Sequence, residues 1–258
     1  VEEVEPVAQP KVAAEIARRL MREAAERGLE PGDHLGAESA LIERYGVARG
    51  SIREAFRLLE AQGAVELRRG AGGGAVMARP RPTQLASFLA MTLQTGGGTL
   101  RTVLETRGTI EPAMAALAAR RRTPEQAQAL IECAESLFEA RHDSATFHAL
   151  NRRFHDLVAE ASGNLLIAAI LPALSWMSEA IGWELPARVR KRIATEKRGI
   201  AAAIDEGDSW GASQRMSRMI MGYEDLSSAD SGLLERPVEW ADVDELLEKH
   251  LQQEPGGT

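Results

Sequence analysis

Between residues 83 and 222 apolar side chains recur every three or four positions almost without a break, and this period constrains the fold more than any other feature of the chain. Leu100, Val103, Leu104, Ile110, Met114 and Leu117 carry it clearly, with Arg107 on the same stripe. Helices patterned in this way bury their stripes against one another, so the spacing predicts an all-α bundle. Turn signals at Gly96-Gly97-Gly98, Thr123-Pro124, Gly163 and Gly207-Asp208 divide the stretch into amphipathic segments near 83–95, 99–121, 124–141, 144–161, 164–184, 187–206 and 208–222. Pro172 is expected to kink the fifth of these. An alanine-rich chain with only 4% aromatic residues fits this reading, because alanine favours helix and aromatics favour strands. The longest apolar run, Leu165 to Leu171, falls far short of the roughly 20 residues that cross a bilayer. A single cysteine, Cys133, excludes an intrachain disulfide framework, and the acidic start of the chain has no apolar core of a signal peptide. Both lead to the expectation of a cytoplasmic protein with no membrane partner.

The first eighty residues read differently. Val12, Ile16, Leu20 and Ala24 lie four apart on a helix expected over 11–27, followed by a turn at Pro31-Gly32-Asp33. Short helices are predicted over 37–45, ended by Gly46, and over 49–62, ended by Gly63. Two β-like pieces, 64–67 and 75–77, flank the Gly-rich stretch Arg68 to Gly74, and Pro80 and Pro82 mark a linker. The expected order is helix, helix-turn-helix and a two-stranded ribbon. The net charge of −7 hides a split: residues 11–81 hold 13 Lys and Arg against 10 Asp and Glu, whereas residues 223–258 hold 2 against 10. On the 49–62 helix Ile52, Ala55, Phe56 and Leu59 share one side, and Arg49, Arg53 and Arg57 form a second stripe roughly 110° away. Such a helix fits the DNA major groove, where guanidinium groups bond guanine edges or phosphates. A solvated stripe paired with Glu54, Glu60 or Glu66 is the plainer alternative.

Ala13 to Met77, and above all the stretch from Gly28 to Val76, resembles the winged helix-turn-helix of GntR-type bacterial transcription regulators. The resemblance implies that Arg49 and Arg53 contact bases and phosphates with Ser51 in support, and that Arg69 and Gly70 form a wing tip reaching the minor groove; Arg57 is added by the stripe alone. Ser39 stands where many relatives carry a DNA-contacting Arg, and Ala48 where they carry Ser or Thr. Both departures remove contacts.

Residues 83–222 resemble the FCD ligand-binding domain of the FadR subfamily, on the stretches Leu100 to Arg120, Asn151 to Asn164 and Glu196 to Ile220. Many such domains hold a divalent metal through one Asp and three His; here Asn151, His155, Lys197 and Met219 occupy those positions. A neutral amide, an ammonium group and a thioether make a poor donor set, so no metal or other cofactor is expected, although His148 shares a face with Asn151 and His155 and leaves a partial site open. The effector is expected to be an anionic metabolite, an organic acid, held by Lys197 and Arg107 and oriented by Asn151 and His155, with Met219 at the remaining position. An apolar pocket with Lys197 reaching to solvent is the alternative.

The expected organisation is a disordered segment over 1–10, a winged helix-turn-helix over 11–79, a linker and first helix over 80–98, an FCD-like bundle over 99–222, and an acidic, marginally ordered tail over 223–258. The expected function is a non-enzymatic regulator, a repressor, in the form the resemblance implies: a homodimer on a near-palindromic operator, released by a small molecule. A DNA-binding dimer that senses nothing, or a small helical enzyme built on His155, are the alternatives; no nucleophile elbow or phosphate loop supports the latter.

Overall fold

The computed structural model of the chain describes residues 9–68, 74–79, 82–182, 184–222 and 232–253. It separates into two compact units, Val1–Gln84 and Leu85–Thr258, and each has its own hydrophobic core. Residues 1–8, most of the segment expected to be disordered, lie outside the described residues, as do Arg69 and Gly70.

In the first unit α1 (Gln9–Glu26), α2 (Glu38–Tyr45) and α3 (Arg49–Ala61) are joined to a small antiparallel sheet of β1 (His34–Gly36), β2 (Val65–Arg68) and β3 (Gly74–Met77). Ile16, Leu20 and Ala24 of α1 meet Ile52, Phe56 and Leu59 of α3, with Leu41, Leu35, Val65 and Ala75 closing the core. Gly46 ends α2 at φ +62°, a left-handed conformation that a side chain would strain, and its N–H donates to the Ile42 carbonyl. That turn sets the direction in which α3 leaves. The sheet order is β1-β3-β2, with Glu66 opposite Val76 and Leu67 opposite Ala75. The two-stranded ribbon expected from the sequence is therefore a three-stranded sheet. β1 is three residues long with one buried side chain, Leu35, too short to show an alternation.

The second unit is helical: α4 (Pro82–Gly96), α5 (Leu100–Arg121), α6 (Pro124–Glu139), α7 (Ser144–Ala161), α8 (Leu165–Ala180), α9 (Ala187–Glu206), α10 (Ser209–Met221) and α11 (Trp240–Gln253). Turn residues in the sequence become caps. Thr123 accepts from Gln126 N with Pro124 in the first turn, Asp143 accepts from Ala145 N and Thr146 N, Asn164 from Leu166 N and Ile167 N, and Asp208 from Gly211 N. α5 is the central helix, packed against α7, α8, α9 and α10. Its buried face runs through Leu100, Val103, Leu104, Arg107, Glu111, Met114, Ala115 and Ala118, while Ile110 and Leu117 are only half-buried.

The acidic C-terminal segment is not a solvated tail over residues 232–246. Leu233, Leu234, Val238 and Val243 are buried in the bundle core. Backbone bonds from Leu100 N to Arg236 O and from Val238 N to Gly98 O fasten the segment to the α4–α5 corner, beside an isolated Thr99–Pro237 bridge. Trp240 donates from Nε1 to Ser87 Oγ at 2.7 Å and from its backbone N–H to Gln94 Oε1 at 2.8 Å. α8 stops at Ala180, short of the expected 184, and Pro172 sits inside it.

Candidate functional site

In the first unit α3 carries the candidate nucleic-acid face. Its apolar side is closed by Ile52, Ala55, Phe56 and Leu59, and Arg49, Arg53 and Arg57 project from the other with side chains 68%, 60% and 72% exposed. Packing of one face against α1 thus fixes the direction of the other. Ser51 is half-buried on the same helix, and Ser39 is exposed in the first turn of α2. Arg57 pairs with Glu54 at 3.5 Å. The other two arginines share a partner that sequence spacing does not suggest: Glu38, the first residue of α2, lies 3.1 Å from Arg53 Nε and 3.4 Å from Arg49 Nε. Arg68 ends β2 exposed, and the expected wing-tip residues Arg69 and Gly70 lie beyond the described part of that hairpin.

In the second unit Arg107, Glu111, His155 and Lys197 form a buried polar cluster among α5, α7 and α9. Arg107 donates from Nε to Glu111 Oε1 at 2.6 Å and from Nη1 to Ser178 Oγ at 3.2 Å, and its Nη2 lies 3.4 Å from His155 Nε2. His155 Nδ1 lies 3.0 Å from Glu111 Oε2. An arginine beside Nε2 and a carboxylate beside Nδ1 favour the imidazole proton on Nδ1 by charge, although the Glu111 contact lacks hydrogen-bond alignment. Burial alone would raise the Glu111 carboxyl, but Arg107 and then His155 outweigh it and hold it at about 2. Burial pushes His155 down to about 4 and Lys197 down to about 7. Lys197 Nζ donates to the Asn151 carbonyl at 2.9 Å and lies 4.6 Å from the centroid of the Phe154 ring, with no exposed surface. It does not reach to solvent, which removes the alternative in which it snorkels.

Of the five residues expected to hold an effector, Arg107 and Asn151 line a common void, with Ser175 and Ser178 beside them and the Arg152–Glu179 ion pair at its wall. That void measures about 20 Å³, the size of one water. Asn151 Oδ1 and Ser175 Oγ are buried with no hydrogen-bond partner among the described residues. His155 and Lys197 stand behind this wall, and Met219 lines a separate cleft of about 470 Å³ with Arg192, Glu196 and Arg218. Glu111, the residue that neutralises Arg107, is absent from the set that sequence reasoning picks out. Its i+4 spacing from Arg107 is the available signal.

The metal site implied by the fold family does not fit these residues. Both ring nitrogens of His155 face Glu111 and Arg107, Lys197 Nζ is held by the Asn151 carbonyl and the Phe154 ring, and Met219 faces another cleft. Among the described residues no three His, Cys, Asp or Glu side chains are grouped to hold a metal ion. Nor, among them, is any helix long and apolar enough to cross a membrane.

Comparison with known proteins meets this geometry at both ends. A family model described as bacterial regulatory proteins, gntR family, matches residues 12–73, and the FCD domain model matches residues 102–221. The HTH-type transcriptional regulator LutR of Bacillus subtilis is 29% identical over 57% of this chain and 66% of its own length, just under two thirds. The HTH-type transcriptional repressor NanR of Salmonella newport is 28% identical over 68% of each chain. The solved structure of Streptococcus agalactiae GntR superposes with a TM-score of 0.65 at 26% identity, covering 83% of this chain and 99% of that one. Helix-turn-helix unit and helical bundle thus each match their own domain model in one order along the chain, and the protein belongs to the gntR family of bacterial transcription regulators, with an FCD domain following its DNA-binding domain.

Proposed function

We propose that the protein binds a near-palindromic operator as a homodimer, with α3 in the major groove and Arg69 and Gly70 at the adjacent minor groove, and that a small organic acid bound in the FCD domain releases it. The observation that carries this reading is the exposed Arg49–Arg53–Arg57 stripe on a helix whose opposite face is locked into a core. Ser39, exposed in the first turn of α2, and Ser51, half-buried on α3, are assigned supporting phosphate contacts in this reading. Repression is the proposed sign, in line with the designation of NanR as a repressor. Homodimerisation follows from the match between two-fold protein symmetry and a two-fold site.

The effector half of the proposal rests on the void between α5, α7 and α8. Arg107 already donates to Glu111 and Ser178, so a ligand carboxylate has to take over the Ser178 contact of its guanidinium. Asn151 Oδ1 is buried with no hydrogen-bond partner among the described residues and can accept from a ligand hydroxyl; a small hydroxy acid meets both demands. A void the size of one water must widen to admit it, which gives ligand binding a mechanical consequence at α5 and α7. His155 and Lys197 act from behind, by holding Arg107 and the Asn151 backbone.

Fluorescence anisotropy on a duplex selected from a randomised pool tests the reading. Arg53→Ala is expected to lose about 1–3 kcal/mol of preference for the selected duplex over a scrambled one. Small hydroxy acids are expected to dissociate the wild-type complex. Unchanged base preference in Arg53→Ala would show that α3 is not the reading element.

A further inference from the structure

We infer that Glu38 is a positioning residue for DNA recognition, aligning the guanidinium groups of Arg49 and Arg53 before DNA arrives. The inference rests on the reading of α3 as the recognition helix and adds a specificity-determining residue on a different helix.

The geometry is that of one carboxylate set between two arginines. Arg53 Nε lies 3.1 Å from Glu38 Oε1 and 3.4 Å from Oε2, and Arg49 Nε lies 3.4 Å from Oε1. Glu38 opens α2 and the two arginines occupy the first two turns of α3, so the contact is made by the tight turn at Gly46 rather than by sequence neighbours. Both contacts run through Nε. A guanidinium held there keeps its Nη1–Nη2 edge for the O6 and N7 acceptors of guanine or for a phosphate. The shared carboxylate also relieves the like-charge repulsion between two arginines one helical turn apart.

Two physical arguments favour positioning over stabilisation. The three side chains are exposed enough that their ion pairs add little to folding. A negative charge placed at a polyanion's surface opposes binding unless it contributes geometry, because every phosphate nearby repels it. The long arginine side chains lose rotamer freedom on binding, and a partner that restricts them beforehand reduces that loss.

The test uses the full chain and two duplexes, the sequence that wild type selects from a randomised pool and a scrambled version of it. Affinities are measured for wild type, Glu38→Gln, Arg53→Ala and the double variant, with thermal melting as the folding control. Glu38→Gln is expected to lose about tenfold in affinity for the selected duplex. On the scrambled duplex it should bind as well as wild type or more tightly, since a repelling charge is gone. In the Arg53→Ala background its effect should shrink, because one of its two clients is absent. Equal tightening on both duplexes would make Glu38 a mere competitor of phosphate and overturn the proposal, as would an unchanged ratio between them. The outcomes separate the two readings: Arg53→Ala losing preference while Glu38→Gln keeps it sinks only the role of Glu38, whereas Arg53→Ala keeping preference removes the recognition helix itself.

Discussion

Lys197 shows what a single residue contributes when, among the described residues, its charge has no carboxylate at hydrogen-bond distance. Its Nζ donates to the Asn151 carbonyl and faces the Phe154 ring, and burial pushes it down to about 7 from an ordinary value of 10.5. Between those two values the unfolded chain holds a proton that the folded chain has released, so the contribution of Lys197 to stability rises as pH increases from about 7 to about 10. Chemical denaturation at pH 7 and near pH 9.5 checks this directly. Wild type should gain stability relative to Lys197→Met as pH rises, and the variant should be at least as stable as wild type at pH 7, because a buried cation is replaced by an apolar chain of similar length. A wild-type profile parallel to that of the variant would refute the account. The cluster around Lys197 is legible in the sequence only in part. Motif positions point to Arg107, Asn151, His155 and Lys197, and the structure brings them into one region of the bundle. Glu111 escapes because the apolar period places Ile110 on the buried stripe; one step along the helix, the buried face takes Glu111 and leaves Ile110 half-exposed. A charged residue at a core position reads as surface unless its partner at i−4 is considered.

Whole elements are legible where a local signal fixes them and obscure where distant residues do. The helices of the bundle begin at Thr123, Asp143, Asn164 and Asp208 because those side chains cap them, and each break is visible in the sequence. The segment 232–246 carries no comparable signal. Its acidity reads as solvation, whereas its burial depends on α4 and α5, more than a hundred positions earlier: Trp240 to Ser87 and Gln94, Arg236 to Leu100, Glu235 to Arg101. Arg121 and Arg122, at the C-terminal end of α5, likewise make contacts distant in sequence: they donate to Ser162 O and Asp205 O, joining the end of α5 to the ends of α7 and α9. Because Leu234 is buried in the main core, Leu234→Ala should destabilise the bundle by about 2–5 kcal/mol, a cost foreign to a free tail. Denaturant titration of the full chain reads that cost; a change within about 0.5 kcal/mol would return the segment to the surface.

At the scale of the whole molecule, the net charge of −7 and the proposed DNA contact are compatible because charge acts locally. Surface charges more than about 8 Å apart are largely screened at physiological ionic strength, so acidic residues along the rest of the chain weigh little against guanidinium groups touching phosphate. The contact energy should then follow the number of arginines at the interface rather than the total charge. Arg57 is the informative member of the stripe. It is the most exposed of the three and pairs with Glu54 on its own helix, so it lacks the inter-helix anchor that Glu38 gives Arg49 and Arg53. A loosely held guanidinium suits a phosphate better than a base edge, since phosphate contact tolerates several geometries. Arg57→Ala should therefore weaken binding by a similar factor on selected and scrambled duplexes. It should also reduce the steepness of log K against log salt by about 0.9, the effect of neutralising one phosphate fewer and so releasing one counterion fewer. Titrations across a range of salt concentrations read the slope and the sequence preference in one experiment. An unchanged slope would mean that Arg57 stays in solvent beside Glu54, and a changed base preference would move it from the phosphate backbone to the groove floor.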